Sequence, residues 1–161
     1  MRMRTLISAL LVCLSAGQAT ALSCMRPDVA TTFNQMNAVP EDVYVLRGIL
    51  TFDEGLLPQG VVNEERNPEP IPARFVGKGL TLDGFTARFE SPVIVQSLCF
   101  GPWCGAVGAG DEIITFAKVL GDKIVVEVDP CGSTVFYEPT QSMVEDLKSC
   151  IRGDICESNE L

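Results

Sequence analysis

Hydrophobic and polar positions along this chain follow two different periods, and the change between them separates strand from helix. From Val43 the run VYVLRGILTF is rich in branched and aromatic residues and has no helical spacing, so it predicts a strand. Three further strand regions follow: Ala73 to Leu82, Phe85 to Leu98 with an interruption at Pro92, and Glu112 to Leu120. Gly121-Asp122 is a two-residue hairpin turn into KIVVEVD, where Ile124, Val126 and Val128 alternate with Val125, Glu127 and Asp129. Residues 55–72 hold four prolines and a charge run and predict a long exposed loop.

The helical period appears only at the two ends. Pro27 suits the first turn of a short helix in which Val29, Phe33 and Met36 recur. Near the C-terminus, Pro139-Thr140 opens a second helix, with Thr140 or Ser142 as cap and Glu145 placed as in a capping box. Val144, Leu147, Cys150 and Ile151 share one face of it, and Gly153 can end it. The prediction is a mainly β domain: a five-stranded OB-type barrel with an N-terminal helical segment and a C-terminal helix.

The first residues change the setting. Arg2 and Arg4 precede an apolar run from Leu6 to Leu14, too short to span a bilayer, and Ala19-Thr20-Ala21 gives a small-x-small pattern. Residues 1–21 therefore read as a signal peptide cleaved after Ala21, leaving 22–161 as a single domain that is periplasmic or secreted, with no integral membrane segment after cleavage. Ala21-Leu22-Ser23-Cys24 meets a lipoprotein pattern only loosely, so lipidation of Cys24 is a lesser alternative. The chain has 12 basic and 21 acidic residues; loss of Arg2 and Arg4 leaves ten basic residues and takes the formal charge from −9 to −11. A surface this acidic repels nucleic acid. Cys13 leaves as well, so seven cysteines become six: Cys24, Cys99, Cys104, Cys131, Cys150 and Cys156. An even number in an exported domain predicts three disulfides, for which six cysteines allow about fifteen pairings.

No histidine occurs anywhere, which removes His-assisted hydrolysis and His-ligated zinc. Asp53-Glu54, Glu64-Glu65 and Asp111-Glu112 are adjacent pairs whose side chains diverge on a strand, so they read as solvated charge. Gly108-Ala109-Gly110-Asp111 resembles one fragment of a calcium-binding nonapeptide, but it occurs once and such sites need stacked copies. Trp103-Cys104-Gly105 resembles part of a thioredoxin active site, yet Cys99 and Cys104 lack the two-residue spacing that lowers a thiol pKa; a thiol oxidoreductase using this pair is an alternative. The sequence thus predicts no catalytic residue, metal site or cofactor, but a binding or structural module. Phe75, Phe85, Phe89 and Phe116 fall in strand regions and are assigned to the interior. Phe100, Trp103 and Tyr137 are candidates for an exposed aromatic surface.

The order Cys24-Met-Arg-Pro, VYVLRGIL, a long loop, VQSLCFG, GDEIITFAKV, VEVDPC and a helix ending near Cys150 resembles the netrin-like module, which includes the N-terminal domains of tissue inhibitors of metalloproteinases. The resemblance covers most of residues 22–161. It implies an OB-type barrel with its N-terminal segment strapped across it. The inhibitors begin Cys-x-Cys, and here that stretch reads Leu22-Ser23-Cys24, so the first cysteine is missing. In the family it bonds the cysteine matching Cys99, and the second bonds the one matching Cys131. The resemblance therefore implies Cys24–Cys131, with Cys104 substituting as partner of Cys99 and Cys150–Cys156 closing behind the helix. The resemblance points to Leu22 and Ser23, and the candidate aromatic surface adds Phe100 and Trp103, as the expected contacts for a partner protein, peptide or glycan. Metalloprotease inhibition is an alternative that the untethered Leu22 disfavours, because a free end must be ordered on binding.

Overall fold

A computed structural model describes residues 22–58 and 68–157. The signal-peptide reading of residues 1–21, the Glu64-Glu65 pair and the middle of the 55–72 stretch lie outside the described residues. The elements in chain order are α1 (Val29–Asn37), β1 (Val43–Thr51), a 3-10 turn (Glu54–Leu56), β2 (Ile71–Thr81), β3 (Gly84–Ser97), β4 (Cys99–Phe100), β5 (Trp103–Cys104), β6 (Glu112–Leu120), β7 (Lys123–Val128), β8 (Val135–Tyr137) and α2 (Gln141–Arg152).

Five long strands pair in a closed circuit. β1 is antiparallel to β2, β2 to β3, β7 to β6 and β6 to β1, while β3 and β7 run parallel. β8 extends the sheet beyond β6, and β4 and β5 form a separate small hairpin. The inner faces of the circuit bury Leu46, Leu50, Phe75, Val95, Ile113, Ala117, Val126 and Val128. A second apolar cluster lies outside it, where α1 and α2 pack together and cover Ile114, Phe116 and Phe136 with Val29 and Leu147. β6 is consequently buried on both faces, which explains its nearly continuous apolar sequence.

Several local expectations change for identifiable reasons. β3 runs unbroken through Pro92, and β2 begins at Ile71 and includes Pro72. At Pro92 only β2 flanks β3, since β7 joins from Ile94; at Pro72 only β3 flanks β2, since the β1 pairing stops at Arg74. Each proline therefore sits where one edge is open and a missing N–H is tolerated. Pro27 lies before α1 rather than in its first turn; Asp28 is the cap, accepting from the Thr31 N–H at 2.7 Å. Thr140 caps α2 by accepting from the Met143 N–H, and Glu145 accepts from Gln141 rather than closing a capping box. Gly153 ends α2 in the left-handed region at φ 79°. Phe75 and Phe116 are fully buried, whereas Phe85 and Phe89 sit at the margins of the two clusters.

One close approach shapes the ring. Gly48 and Gly77 are directly opposite on β1 and β2, and a Cβ on either would collide with the backbone of the other strand. Only glycine lets these two strands come together at that point.

Candidate functional site

Because β3 and β7 are parallel neighbours, their C-terminal ends finish together. Phe100 and Trp103 lie on the loop leaving β3 at that end, and the loop leaving β7 carries Cys131, the disulfide partner of Cys24. The chain departs β3 at Leu98, whose N–H donates to the Val128 carbonyl at 2.8 Å, and returns at Gly105, whose N–H donates to the Leu98 carbonyl at 2.8 Å. The buried Ser97 hydroxyl donates to the Gly105 carbonyl at 2.6 Å. Gly105 lies against the end of β7 so closely that a Cβ would collide with the Val128 carbonyl.

Between these anchors stands a six-residue hairpin. Cys99 and Cys104 are directly opposite and bonded, with 4.0 Å between their Cα atoms. Phe100 and Trp103 form the next cross-strand pair, and Gly101 at φ 59° with Pro102 makes the turn. Paired residues share a face, so the two rings project together. Phe100 is 53% exposed and Trp103 37%. An apolar pair this open on a covalently closed hairpin is a ready contact surface: aromatic rings give large contact area, and the closed hairpin leaves little backbone freedom to lose.

The N-terminal segment is fastened beyond the end of β7. Cys24 bonds Cys131, the pairing that the netrin-like resemblance implies. The Asp129 carboxylate shapes the receiving loop by accepting from the Cys131 N–H at 2.7 Å and the Ser133 N–H at 3.1 Å. The Thr32 hydroxyl of α1 donates to the Ser133 carbonyl at 3.0 Å. Leu22, Ser23 and Met25 are exposed, Met25 at 90%. Neither Leu22 nor Ser23 makes a hydrogen bond among the described residues. The Cys24 sulfur is engaged in the disulfide, which leaves no thiol for lipidation. The third bond, Cys150–Cys156, lies behind α2, where the Cys156 carbonyl accepts from Asn34 of α1.

Tyr137 does not join this surface. It sits on β8 opposite Ile113, and its hydroxyl accepts from the Gly108 N–H at 3.0 Å. The Gly108–Asp111 stretch is a turn fastened to its surroundings: Ala109 N–H donates to Glu54 and Gly110 N–H to the Leu50 carbonyl. In the two described acidic pairs, Asp53 caps the 3-10 turn and Glu112 pairs with Arg47 at 3.0 Å. No three His, Cys, Asp or Glu side chains among the described residues converge as metal ligands.

Two features escaped sequence reasoning. A groove of about 690 Å³ lies at the opposite end of the ring, between the end of α1, the start of β1 and the first half of β3; Met36, Tyr44, Leu80, Phe89 and Ile124 line it. The Tyr44 and Phe89 rings meet there with centroids 5.8 Å apart. The other feature is a set of cations on the outer face of β1, β2 and β3, which becomes a group only once the strand register is known. No family model, curated protein or solved structure matches the chain.

Proposed function

We propose that the chain is an exported, non-catalytic binding or structural module, built on an OB-type barrel of netrin-like design, that engages a partner protein, peptide or glycan through its disulfide-tied end. The observation that carries this reading is the Phe100–Trp103 pair, half-exposed on a hairpin closed by its own disulfide. The barrel assignment rests on the closed circuit of five strands, with one parallel pair among antiparallel ones. Export is supported by the apolar run at 6–14 and by three disulfides, which persist in oxidising compartments. Among the described residues no helix is long and apolar enough to cross a membrane. The absence of histidine supports a non-catalytic role.

The test is retention of a component of the producing cell's envelope fraction by immobilised residues 22–161, compared with F100A/W103A. Loss of retention without a change in melting temperature supports the hairpin as the contact. Equal retention by both proteins rejects it. For the thiol-oxidoreductase alternative, transfer of the Cys99–Cys104 disulfide to a reduced thiol substrate is the deciding measurement.

A further inference from the structure

Among the described residues, the outer face of β1, β2 and β3 gathers four cations, Arg47, Arg74, Lys78 and Arg88, on an acidic chain. Arg47 of β1 is directly opposite Lys78 of β2, and Lys78 is directly opposite Arg88 of β3. The three cations therefore form one row across neighbouring strands spaced about 4.8 Å apart. Like charges directly opposite on a sheet oppose folding. The adjacent row on the same face is Ile49, Val76 and Glu90, about 6.7 Å along the strands. Ile49 is 43% exposed and Val76 46%.

The arginines are held in place by neighbours. Arg47 makes a two-point contact with Glu112, at 3.0 and 3.3 Å, and Glu90 is shared between Arg74 and Arg88. Lys78 is exposed and makes no ion pair among the described residues. Four cations thus stand against two carboxylates on a chain of net charge −9. Arg47, Ile49, Val76, Lys78 and Glu112 also border a shallow depression of about 580 Å³.

We propose that this face docks an acidic polypeptide segment with aliphatic residues between its carboxylates. Charge complementarity selects the sign of the partner: Lys78 and the free guanidinium donors of Arg47 and Arg88 would receive carboxylates. Ile49 and Val76 select its apolar part, since they offer aliphatic contact beside the cation row. Phe85 also lines the depression but is half-buried and packed against the second apolar cluster, so the exposed apolar groups of this face are the aliphatic Ile49 and Val76, which favours a peptide over an anionic polysaccharide. The acidic remainder of the chain repels a long polyanion but not a short segment that meets only this face. This surface is separate from the Phe100–Trp103 hairpin, so the two readings stand or fall independently.

The experiment is fluorescence anisotropy with a short fluorescein-labelled peptide alternating glutamate and valine, titrated with residues 22–161. It is run at about 0.01 M and about 0.15 M salt, between which the screening length falls from about 30 to about 8 Å. K78E/R88E is expected to weaken binding about tenfold or more, I49S/V76S to weaken it severalfold, and raised salt to weaken it in every case. F100A/W103A is expected to bind as the unsubstituted protein does. Matched melting temperatures exclude misfolding, and amide shifts confined to β1, β2 and β3 support the location. The proposal is overturned by the absence of saturable binding at low salt, by equal affinity for a glutamate-glycine peptide or an alginate oligomer, or by loss of binding on F100A/W103A but not on K78E/R88E.

Discussion

Removing the Cys24–Cys131 bond is the perturbation whose size the structure fixes best. The bond joins residues 107 apart, whereas Cys99–Cys104 and Cys150–Cys156 close spans of 5 and 6. On the chain-entropy account, a cross-link restricts the unfolded chain by an amount that grows with the logarithm of the loop. That gives about 4.8 kcal/mol for the long loop and about 2.1 kcal/mol for the Cys99–Cys104 clip. With an unfolding entropy of about 2.1 cal/mol/K per residue over residues 22–161, the two losses correspond to about 16 and about 7 °C in melting temperature. The assay is thermal denaturation, followed by circular dichroism, of the double variants C24S/C131S and C99S/C104S, which leave no odd thiol. The long-loop variant is expected to melt about 9 °C below the clip variant. Equal losses, or a larger loss from the clip, would refute the entropic reasoning and place the stabilisation in native contacts of the hairpin.

Other expectations follow from particular residues. Gly48→Ala and Gly77→Ala each drive a Cβ into the backbone of the paired strand, so each is expected to lower stability by about 3 kcal/mol or more in denaturant titration. Thr115 is fully buried with its hydroxyl unpartnered among the described residues, so Thr115→Val is expected to raise stability by about 1 kcal/mol and to shift the thermal midpoint upward. The Arg88 and Arg74 guanidinium groups hold the Glu90 carboxyl below its ordinary pKa of 4.5, so their stabilising effect is present above that pH and lost as the pH falls below it. Glu90→Gln is expected to flatten the acid limb of a stability-versus-pH curve; an unchanged limb would show that the pairs contribute nothing in solution. Protein starting at Leu22 is expected not to inhibit zinc proteases at micromolar concentration, and sub-micromolar inhibition abolished by one added residue would contradict the account of the untethered N-terminus.

The strands and the terminal helix were legible because each carries its signal locally. Glu112–Leu120 and the Gly121-Asp122 turn combine β-branched residues with turn chemistry, and the Val144, Leu147, Cys150 and Ile151 stripe has a single period. Pro92 misled because a proline breaks a strand only where its N–H has a partner, and the open edge beside it is a property of the sheet. β8 escaped because three residues are too few to show a period; Tyr137 was then grouped with Phe100 and Trp103 by residue type, although its hydroxyl partner fixes it elsewhere. The cation row was illegible for a deeper reason. Arg47, Lys78 and Arg88 lie on three different strands, and a shift of one residue in either pairing would turn one of them to the other face.

The two surfaces hold their residues by different means, and this bears on where a partner gains affinity. Phe100 and Trp103 stand on a hairpin closed by a disulfide and bonded to β3 and β7 at its base, so binding there orders little beyond two stiff rings. Leu22 and Ser23 precede an equally covalent anchor, Cys24, but make no hydrogen bond among the described residues. Fixing their backbone costs about 1 to 2 kcal/mol per residue, which a contact at that end must first offset. The cations of β1, β2 and β3 rest on a continuous backbone ladder, with exposed ion pairs that are individually weak. On the proposed readings, the cations would contribute most by steering an oppositely charged segment onto the sheet, and the clipped hairpin by slowing release. A partner that spanned both surfaces would join fast arrival to long residence without requiring the N-terminal end at all.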